Sequence, residues 1–290
     1  MGGIMKKFLW CATIILLVST VFGVHSLIGA GMEDRILTFF KKTIKPAEPL
    51  LANDITIEKE FQPGTTHKIG LIELVQGQCY LQHKGQKTAY QAKKDMPLYE
   101  GDILITGENA RIQARLDDKS TFSLAEYSRL ALTRIVYDSL KNSRDSEVNL
   151  SFGKVRFKMI KLSDESNFSI NTPTAVAGVR GSDFALMVYN LDESSAAFSG
   201  NFFATLFSVP AAHAELNLLS TALLTGQDST LTFAGLSGPV QSVGPFAVSV
   251  APAGAAASIG AAVAPAVATG ILESVGPGLA YMAMPPWMEE

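Results

Sequence analysis

The clearest pattern of apolar and polar positions lies in residues 168–189, FSINTPTAVAGVRGSDFALMVY. Apolar side chains occupy alternate positions on both sides of a Thr172-Pro173 break, which is the period of a β-strand with one buried face. We therefore predict two strands that flank this break. Their buried face carries Phe168, Ile170, Val176, Phe184, Leu186 and Val188.

Arg180 shares this alternation although it stands close to two glycines. One reading places the guanidinium in or beside the core, where it would bond to backbone carbonyls or to an acid such as Asp102 or Asp183, because a buried charge needs partners. The other reading is a glycine bulge that turns the side chain toward water. On the first reading lysine is a poor substitute for Arg180, in contrast to Arg144, which we expect at the surface.

Short β runs with frequent turn signals fill the chain upstream of this stretch, from Ile69 to Ile160, and helical periodicity is absent there. The expected elements include a hairpin turn at residues 84–86, a charged loop at residues 141–145, and a hairpin-like pair formed by residues 148–152 and 155–160. The pattern predicts an all-β domain over residues 69–190, built as an antiparallel β-sandwich or a rolled β-sheet.

The amino terminus has the pattern of an export segment. Lys6 and Lys7 precede residues 8–24, which carry no charge. As a helix this run is about 26 Å long, short of the roughly 30 Å hydrocarbon core, which favours a signal peptide within residues 1–30. Without cleavage, residues 8–24 would be a signal anchor that tethers the protein to the inner membrane. Either route predicts that the remainder of the chain is extracytoplasmic.

The other segments are predicted from composition. Residues 31–68 read as a connector that begins with a short amphipathic helix and then contains several prolines. In residues 191–237 the stretches 202–209 and 216–224 are apolar enough to be buried strands or a helix, and we expect this segment to extend the β domain. Residues 238–290 are rich in Ala, Gly and Pro, and this composition predicts a low-complexity surface tail.

Charge and motifs narrow the function. All 24 Lys and Arg residues lie at or before Arg180, together with 19 of the 27 acids, and no basic stripe appears, so a nucleic-acid partner is disfavoured. The four histidines lack metal-ligand spacing. Asp117 and Asp118 read as turn residues rather than a catalytic pair, since neighbours on a strand point to opposite faces. We predict a protein that is not an enzyme and uses no cofactor or metal.

Several landmarks in this β region occur together in one known family. They are Gly101-Asp102 with Thr106, the polar turn that contains Asp118, Gly153 at the opening of a strand, Phe168 before Pro173, and Arg180-Gly181-Ser182 followed by Phe184. In these residues the chain resembles the FecR domain family over residues 69–190. It departs from the family at Lys119, where a glycine is usual, and at Ser182, where a threonine is usual.

The resemblance implies an extracytoplasmic β-rich module that binds another envelope protein, as in the iron-dicitrate type of cell-surface signalling regulators. Those regulators have a cytoplasmic segment that handles a sigma factor. Only seven residues precede the apolar run here, so we do not expect that activity. The alternative is a structural or adhesive exported protein without a signalling role.

Overall fold

A computed structural model of the protein describes residues 36–190 except 48, residues 219–252 except 228, 230 and 237, residues 261–276, and residues 34 and 257. The chain divides after Lys42 into two units. In the first unit residues 36–41 are helical, as the amphipathic pattern predicts. The predicted signal or anchor segment lies outside the described residues, and so does most of the predicted β extension.

The strands of the second unit, numbered along the chain, form two sheets. In spatial order the first sheet consists of β1 (Thr56–Glu58), β4 (Thr88–Gln91), β3 (Cys79–Gln82), β6 (Ile103–Thr106), β9 (Arg129–Asp138), the first half of β10 (Ser143–Lys158), β11 (Asn167–Asn171), β12 (Ala175–Val179), β15 (Leu231–Gly235) and β16 (Gln241–Val243). The second consists of β5 (Pro97–Tyr99), β2 (Lys68–Gln76), β7 (Arg111–Leu116), β8 (Thr121–Leu124), the second half of β10, β13 (Asp183–Asn190), β14 (Leu219–Thr225), β17 (Ala247–Pro252) and β18 (Ala261–Ala262).

The chain is mostly β, as the sequence predicts, but the expected purely antiparallel arrangement needs correction. Strand β1 pairs with β4 in parallel, and β10 pairs with β11 in parallel. The described ladders between the other strand pairs are antiparallel. The first sheet is therefore mixed. Its two parallel pairs arise where the chain returns to the sheet without a tight hairpin.

Strand β10 joins the two sheets. The predicted hairpin around Gly153 is wrong, because β10 runs through it as one strand of sixteen residues, and the predicted charged loop supplies the first residues of that strand. At Gly153 the backbone has φ 91°, and a Cβ there would lie 2.2 Å from Ser128 Oγ. The backbone therefore bends at this point without reversing, and β10 leaves β9 to pair with β8 and β13.

A core of aromatic and aliphatic side chains is shared by both sheets. The Phe157 ring lies 5.3 Å from Phe168 of the first sheet and 5.7 Å from Phe184 of the second. Phe168, Phe184, Ile170, Leu186 and Val188 are all buried, as predicted. These contacts place the centre of the core at the point where β10 crosses between the sheets.

Val176 is a correction to the predicted core, since 39% of its surface is exposed. Strands β11 and β12 pair antiparallel, with Ile170 opposite Ala177. An even-numbered residue of β11 thus lies opposite an odd-numbered residue of β12. Paired residues share a face of the sheet, and the buried positions of β12 are therefore Ala175, Ala177 and Val179. The turn between the two strands changes the alternation, which turns Val176 outward.

The described residues within the predicted low-complexity segment 238–290 contribute β16, β17, β18 and the helix α1 (Pro265–Val275). The last turn of α1 holds no basic residue. Arginines of the second sheet bond to its final carbonyls instead, Arg156 Nη1 to Gly276 O at 2.6 Å and Arg111 Nη2 to Ser274 O at 3.1 Å. These cations stabilise the negative end of the helix dipole.

Among the described helices, none combines the length and the apolar character that a membrane crossing requires.

Truncating Phe184 to Ala should lower the free energy of unfolding by about 3 to 5 kcal/mol, because the ring is fully buried and stacked on Phe157. Val176→Ala is the matched control, with an expected change within about 0.5 kcal/mol. Urea denaturation followed by circular dichroism measures both variants. Equal effects at the two positions would contradict the assignment of inner and outer faces.

Candidate functional site

A cleft of about 200 Å³ opens where β2 begins, beside the turn between β7 and β8 and the end of β9. Its walls include Ile69, Leu116, Val136 and Tyr137, and its polar side chains include His67 and Asp118. The hydrophobic pattern brings these residues together, because three separate strands end or begin at the same edge. An apolar pocket with a few converging polar groups is the usual form of a binding site.

Asp118 connects the cleft with a buried ion pair. Its Oδ1 accepts a hydrogen bond from Ser120 N at 2.8 Å, and its Oδ2 lies 2.6 Å from Arg144 Nη1. Arg144 also donates to Ser120 Oγ at 2.7 Å and to the carbonyl of Ile160. Burial lowers the pKa of the Arg144 guanidinium, and the charge of Asp118 opposes that shift. Arg144, expected at the surface, is therefore buried, and its planar group fixes one wall of the cleft.

Asp102 forms a second buried pair with a histidine that the sequence did not reveal. Its Oδ1 lies 2.6 Å from His83 Nδ1, and its Oδ2 accepts a bond from Tyr99 N at 2.8 Å. Burial raises the pKa of the Asp102 carboxyl, while the bonds from His83 and Tyr99 oppose this shift. The preceding Gly101 donates its N–H to Leu132 O at 2.7 Å. The Gly101-Asp102 landmark thus holds the β5–β6 turn against β9.

Thr106 and Gly153 meet through Ser128. Thr106 Oγ1 donates to Ala125 O at 2.6 Å and accepts a bond from Ser128 N at 2.9 Å. Ser128 Oγ in turn accepts a bond from Lys154 N at 2.8 Å. These two landmarks therefore fix the bend of β10 and lie apart from the cleft.

The remaining landmarks lie on the turns around β12. Pro173 and Arg180 are exposed, so the Arg180 guanidinium faces water in the turn after β12, and the acids predicted to bind it are engaged elsewhere. Asp183 binds Arg156 through both oxygens, at 2.8 and 2.6 Å. Ser182 is buried and its carbonyl accepts a bond from Met159 N at 2.8 Å.

Gly181 has φ 136°, and a Cβ there would lie 2.9 Å from Lys161 Cα. This positive φ and the close approach of the chain both require glycine, which explains the Arg-Gly pair without a ligand.

The residues that the sequence reasoning missed are His83, Arg144 and Arg156. Each lies far along the chain from its acidic partner, so no local motif marks the pair. The one usable signal was the charge of Arg144 and Arg156 within strands whose neighbours alternate toward the core. Within the described ranges, no three His, Cys, Asp or Glu side chains gather closely enough to hold a metal ion.

The sequence profile of the family described as FecR protein matches residues 102–200. This range contains the whole of β10 and every family landmark named in the sequence analysis except Gly101. No curated protein matches the chain.

Two crystal structures of a proposed anti-sigma factor from Parabacteroides distasonis are similar to the protein. The first has 12% sequence identity and a TM-score of 0.38, and the second has 11% identity and a TM-score of 0.39. In both comparisons the match covers 56% of this chain and 59% of the other, so it spans about three fifths of the relative's length.

Arg144→Lys should destabilise the protein by more than about 1 kcal/mol, because an ammonium cannot hold the fork of bonds to Asp118, Ser120 and Ile160. Arg180→Lys is the control and should change the free energy of unfolding by less than about 0.5 kcal/mol. Equilibrium unfolding in urea compares the two variants. A larger loss at Arg180 than at Arg144 would overturn this account of the ion pair.

Proposed function

The chain carries a FecR domain, and we propose that the protein is a non-enzymatic binding module of the bacterial envelope with a role in cell-surface signal transduction. The observation that carries the proposal is the family match over residues 102–200. Proteins of this family face the envelope or periplasm. The proposed location is therefore extracytoplasmic, and the proposed partner is another envelope protein.

The chemistry of the cleft supports binding rather than catalysis. The oxygens of Asp118 are occupied by Ser120 N and Arg144, and His67 Nε2 donates to the carbonyl of Ile135 at 2.8 Å. A general acid or base must reach its substrate with an oxygen or nitrogen that is free to exchange a proton. The two Asp118 oxygens and His67 Nε2 are instead bonded within the fold, where they shape the cleft.

The surface beside the cleft supports a protein partner. Leu140 forms the tip of the β9–β10 hairpin and is 97% exposed, while Val136 and Ile160 are partly exposed. The loop after β10 is joined to this hairpin by a bond from Ser163 N to Asn142 O at 3.0 Å. We call Val136, Leu140 and Ile160 the hairpin surface. We propose that these exposed apolar side chains beside the cleft contact the partner.

A photo-crosslinking residue at position 140 should therefore form an adduct with one envelope protein in living cells. Position 236 is the matched control, because Leu236 is also apolar and 67% exposed but follows β15. Mass spectrometry identifies the adduct. Equal adducts at both positions, or none at 140, would contradict the proposed surface, and an adduct with a surface polymer or a second copy would favour the structural or adhesive alternative.

Leu140→Asp should weaken binding of the identified partner about 10- to 100-fold, which is the range for a contact residue of 1 to 3 kcal/mol. The free energy of unfolding should change by less than about 0.5 kcal/mol, since Leu140 has almost no buried surface to lose. Titration calorimetry and urea unfolding separate the two effects. Leu236→Asp should leave the affinity unchanged.

A further inference from the structure

Residues 54–67, called the strap here, run along the first sheet and lead into β2. At one end the Asp54 carboxylate lies 2.8 Å from Lys87 Nζ, and β1 pairs with β4. At the other end Thr66 Oγ1 donates to Glu100 O at 2.8 Å, and Glu100 N donates to His67 O at 3.2 Å. The second half of the predicted connector is thus attached to the β domain. Most of these contacts lie at the surface, where ion pairs contribute little.

The centre of the strap is attached to the buried pair of His83 and Asp102. His83 Nε2 lies 2.8 Å from the carbonyl oxygen of Gln62, and its Nδ1 lies 2.6 Å from Asp102 Oδ1. The Phe61 ring packs on Tyr90 at 5.3 Å and on His83 at 5.6 Å. His83 and Asp102 are almost completely excluded from solvent. Among the polar contacts of the strap described above this is the interior one, and a hydrogen bond between the buried Tyr90 side chain and the backbone of Gln62 adds to it.

The two bonds of His83 fix how many protons the pair holds. A carbonyl oxygen only accepts, so Nε2 must carry a hydrogen. At Nδ1 either the imidazolium donates to the carboxylate or a protonated carboxyl donates to the ring nitrogen. Both arrangements contain one proton more than a neutral histidine beside an ionised aspartate. An unfolded chain near neutral pH holds the pair mainly in that latter state, since the ordinary pKa values are about 6.5 for histidine and about 3.9 for aspartate.

Loss of this proton breaks the attachment of the strap. The remaining imidazole proton stays on Nδ1, because the carboxylate is a stronger acceptor than a carbonyl. The bare Nε2 then faces the Gln62 oxygen, so two acceptors meet and the bond is lost. The buried carboxylate is left with a net negative charge in an aromatic surrounding, which costs free energy.

The other ionisable groups around the pair come from three elements. Tyr90 of β4 and Tyr99 of β5 contribute rings that contact His83. Burial raises the pKa of Tyr90, and the charge of Glu58 adds to this, so this phenol stays neutral across the physiological range. The stem of Lys84 packs against Gly101. Among the hydrogen-bond partners that the structure describes for His83, Asp102 is the one acid.

We propose that His83 and Asp102 form a proton-controlled latch that holds the strap on the first sheet and releases it as pH rises. The folded, latched state binds one proton more than the released state. Its stabilisation is therefore complete between the ordinary pKa values of aspartate and histidine, about 3.9 and 6.5, and is lost as pH rises through the titration of the pair. The raised pKa of the Asp102 carboxyl gives the same direction. Between the ordinary pKa of a released histidine, about 6.5, and the titration of the latched pair, the population of the released strap grows up to about tenfold per pH unit.

The latch also reaches the cleft, because the strap ends at His67, which lines it together with Lys68. Release of residues 61–67 removes the restraint on this wall. The effect on partner binding rests on the proposed function, whereas the latch itself does not. Measurements on the strap and on partner binding are therefore kept separate.

Hydrogen exchange of the full-length protein between pH 5 and pH 9.5, read by mass spectrometry and corrected for the intrinsic pH dependence, tests the latch. The amides that bond the strap to the sheet, Thr56 N to Lys87 O and Glu100 N to His67 O, should lose protection as pH rises, by up to about tenfold per unit, while those of β10 keep theirs. Imidazole nitrogen NMR shifts of His83 should report a change of protonation over the same range. Constant protection of the strap over this range would overturn the proposal.

Asp102→Asn removes the titrating carboxylate but can keep the hydrogen bonds around His83. Its amide nitrogen can donate to Nδ1 of a neutral imidazole, its amide oxygen can accept from Tyr99 N, and His83 Nε2 keeps its hydrogen for Gln62. The strap of this variant should stay protected up to pH 9.5. His67→Gln is the control with a histidine outside the latch, and it should keep the pH dependence. If the protection of the strap depends on pH equally in Asp102→Asn and in the wild type, the proposal is also wrong.

Discussion

The fold depends on one constraint, the bend of β10 at Gly153. A strand of sixteen residues could lie flat in one sheet, and the two sheets would then share no backbone connection at this point. Positive φ at Gly153 and the closeness of Ser128 make the strand change partners, from β9 to β8 and β13. The aromatic core is centred on Phe157, four residues after the bend, where both sheets contribute rings. The packing of the aromatic core and the passage of β10 from one sheet to the other therefore depend on each other.

Buried ion pairs attach peripheral segments to this core. Arg144 and Asp118 join the β9–β10 hairpin to the turn after β7, and Arg156 joins β10 to β13 and to the end of α1. A buried ion pair is rarely more stable than apolar side chains of equal volume, because desolvation offsets the attraction. We infer that these pairs act mainly by fixing which segment lies where. An apolar contact would allow sliding, but a fork of hydrogen bonds permits one register.

The sequence predicted the strands and the buried aromatics well, because alternation over several residues reports burial directly. Phe168 and Phe184 are examples. The sequence prediction failed at Val176. The turn between β11 and β12 places even-numbered residues of β11 opposite odd-numbered residues of β12, and the alternation of apolar residues does not reveal this shift. It failed at Arg144 because a charge beside other charges resembles a loop. His83 and Asp102 are nineteen residues apart, and their contact follows from the order of strands in the sheet. The family landmarks mark positions that need an unusual backbone conformation or a buried polar hydrogen bond. Of these landmarks, Asp118 lines the cleft and the others lie elsewhere in the fold.

The proposed binding role has two requirements, stability and responsiveness, and different parts of the structure meet them. Stability comes from the apolar core around Phe157, whose ring is surrounded by those of Phe122, Phe168 and Phe184. A response to pH or to a partner requires polar contacts at the periphery, such as those of the strap. There a proton or a partner can compete for a hydrogen bond without opening the core. The cleft lies between these two regions, with one wall fixed by Arg144 and the other formed where the strap enters β2. A change at the strap therefore alters the shape of the cleft while the fold persists, because the two depend on different interactions.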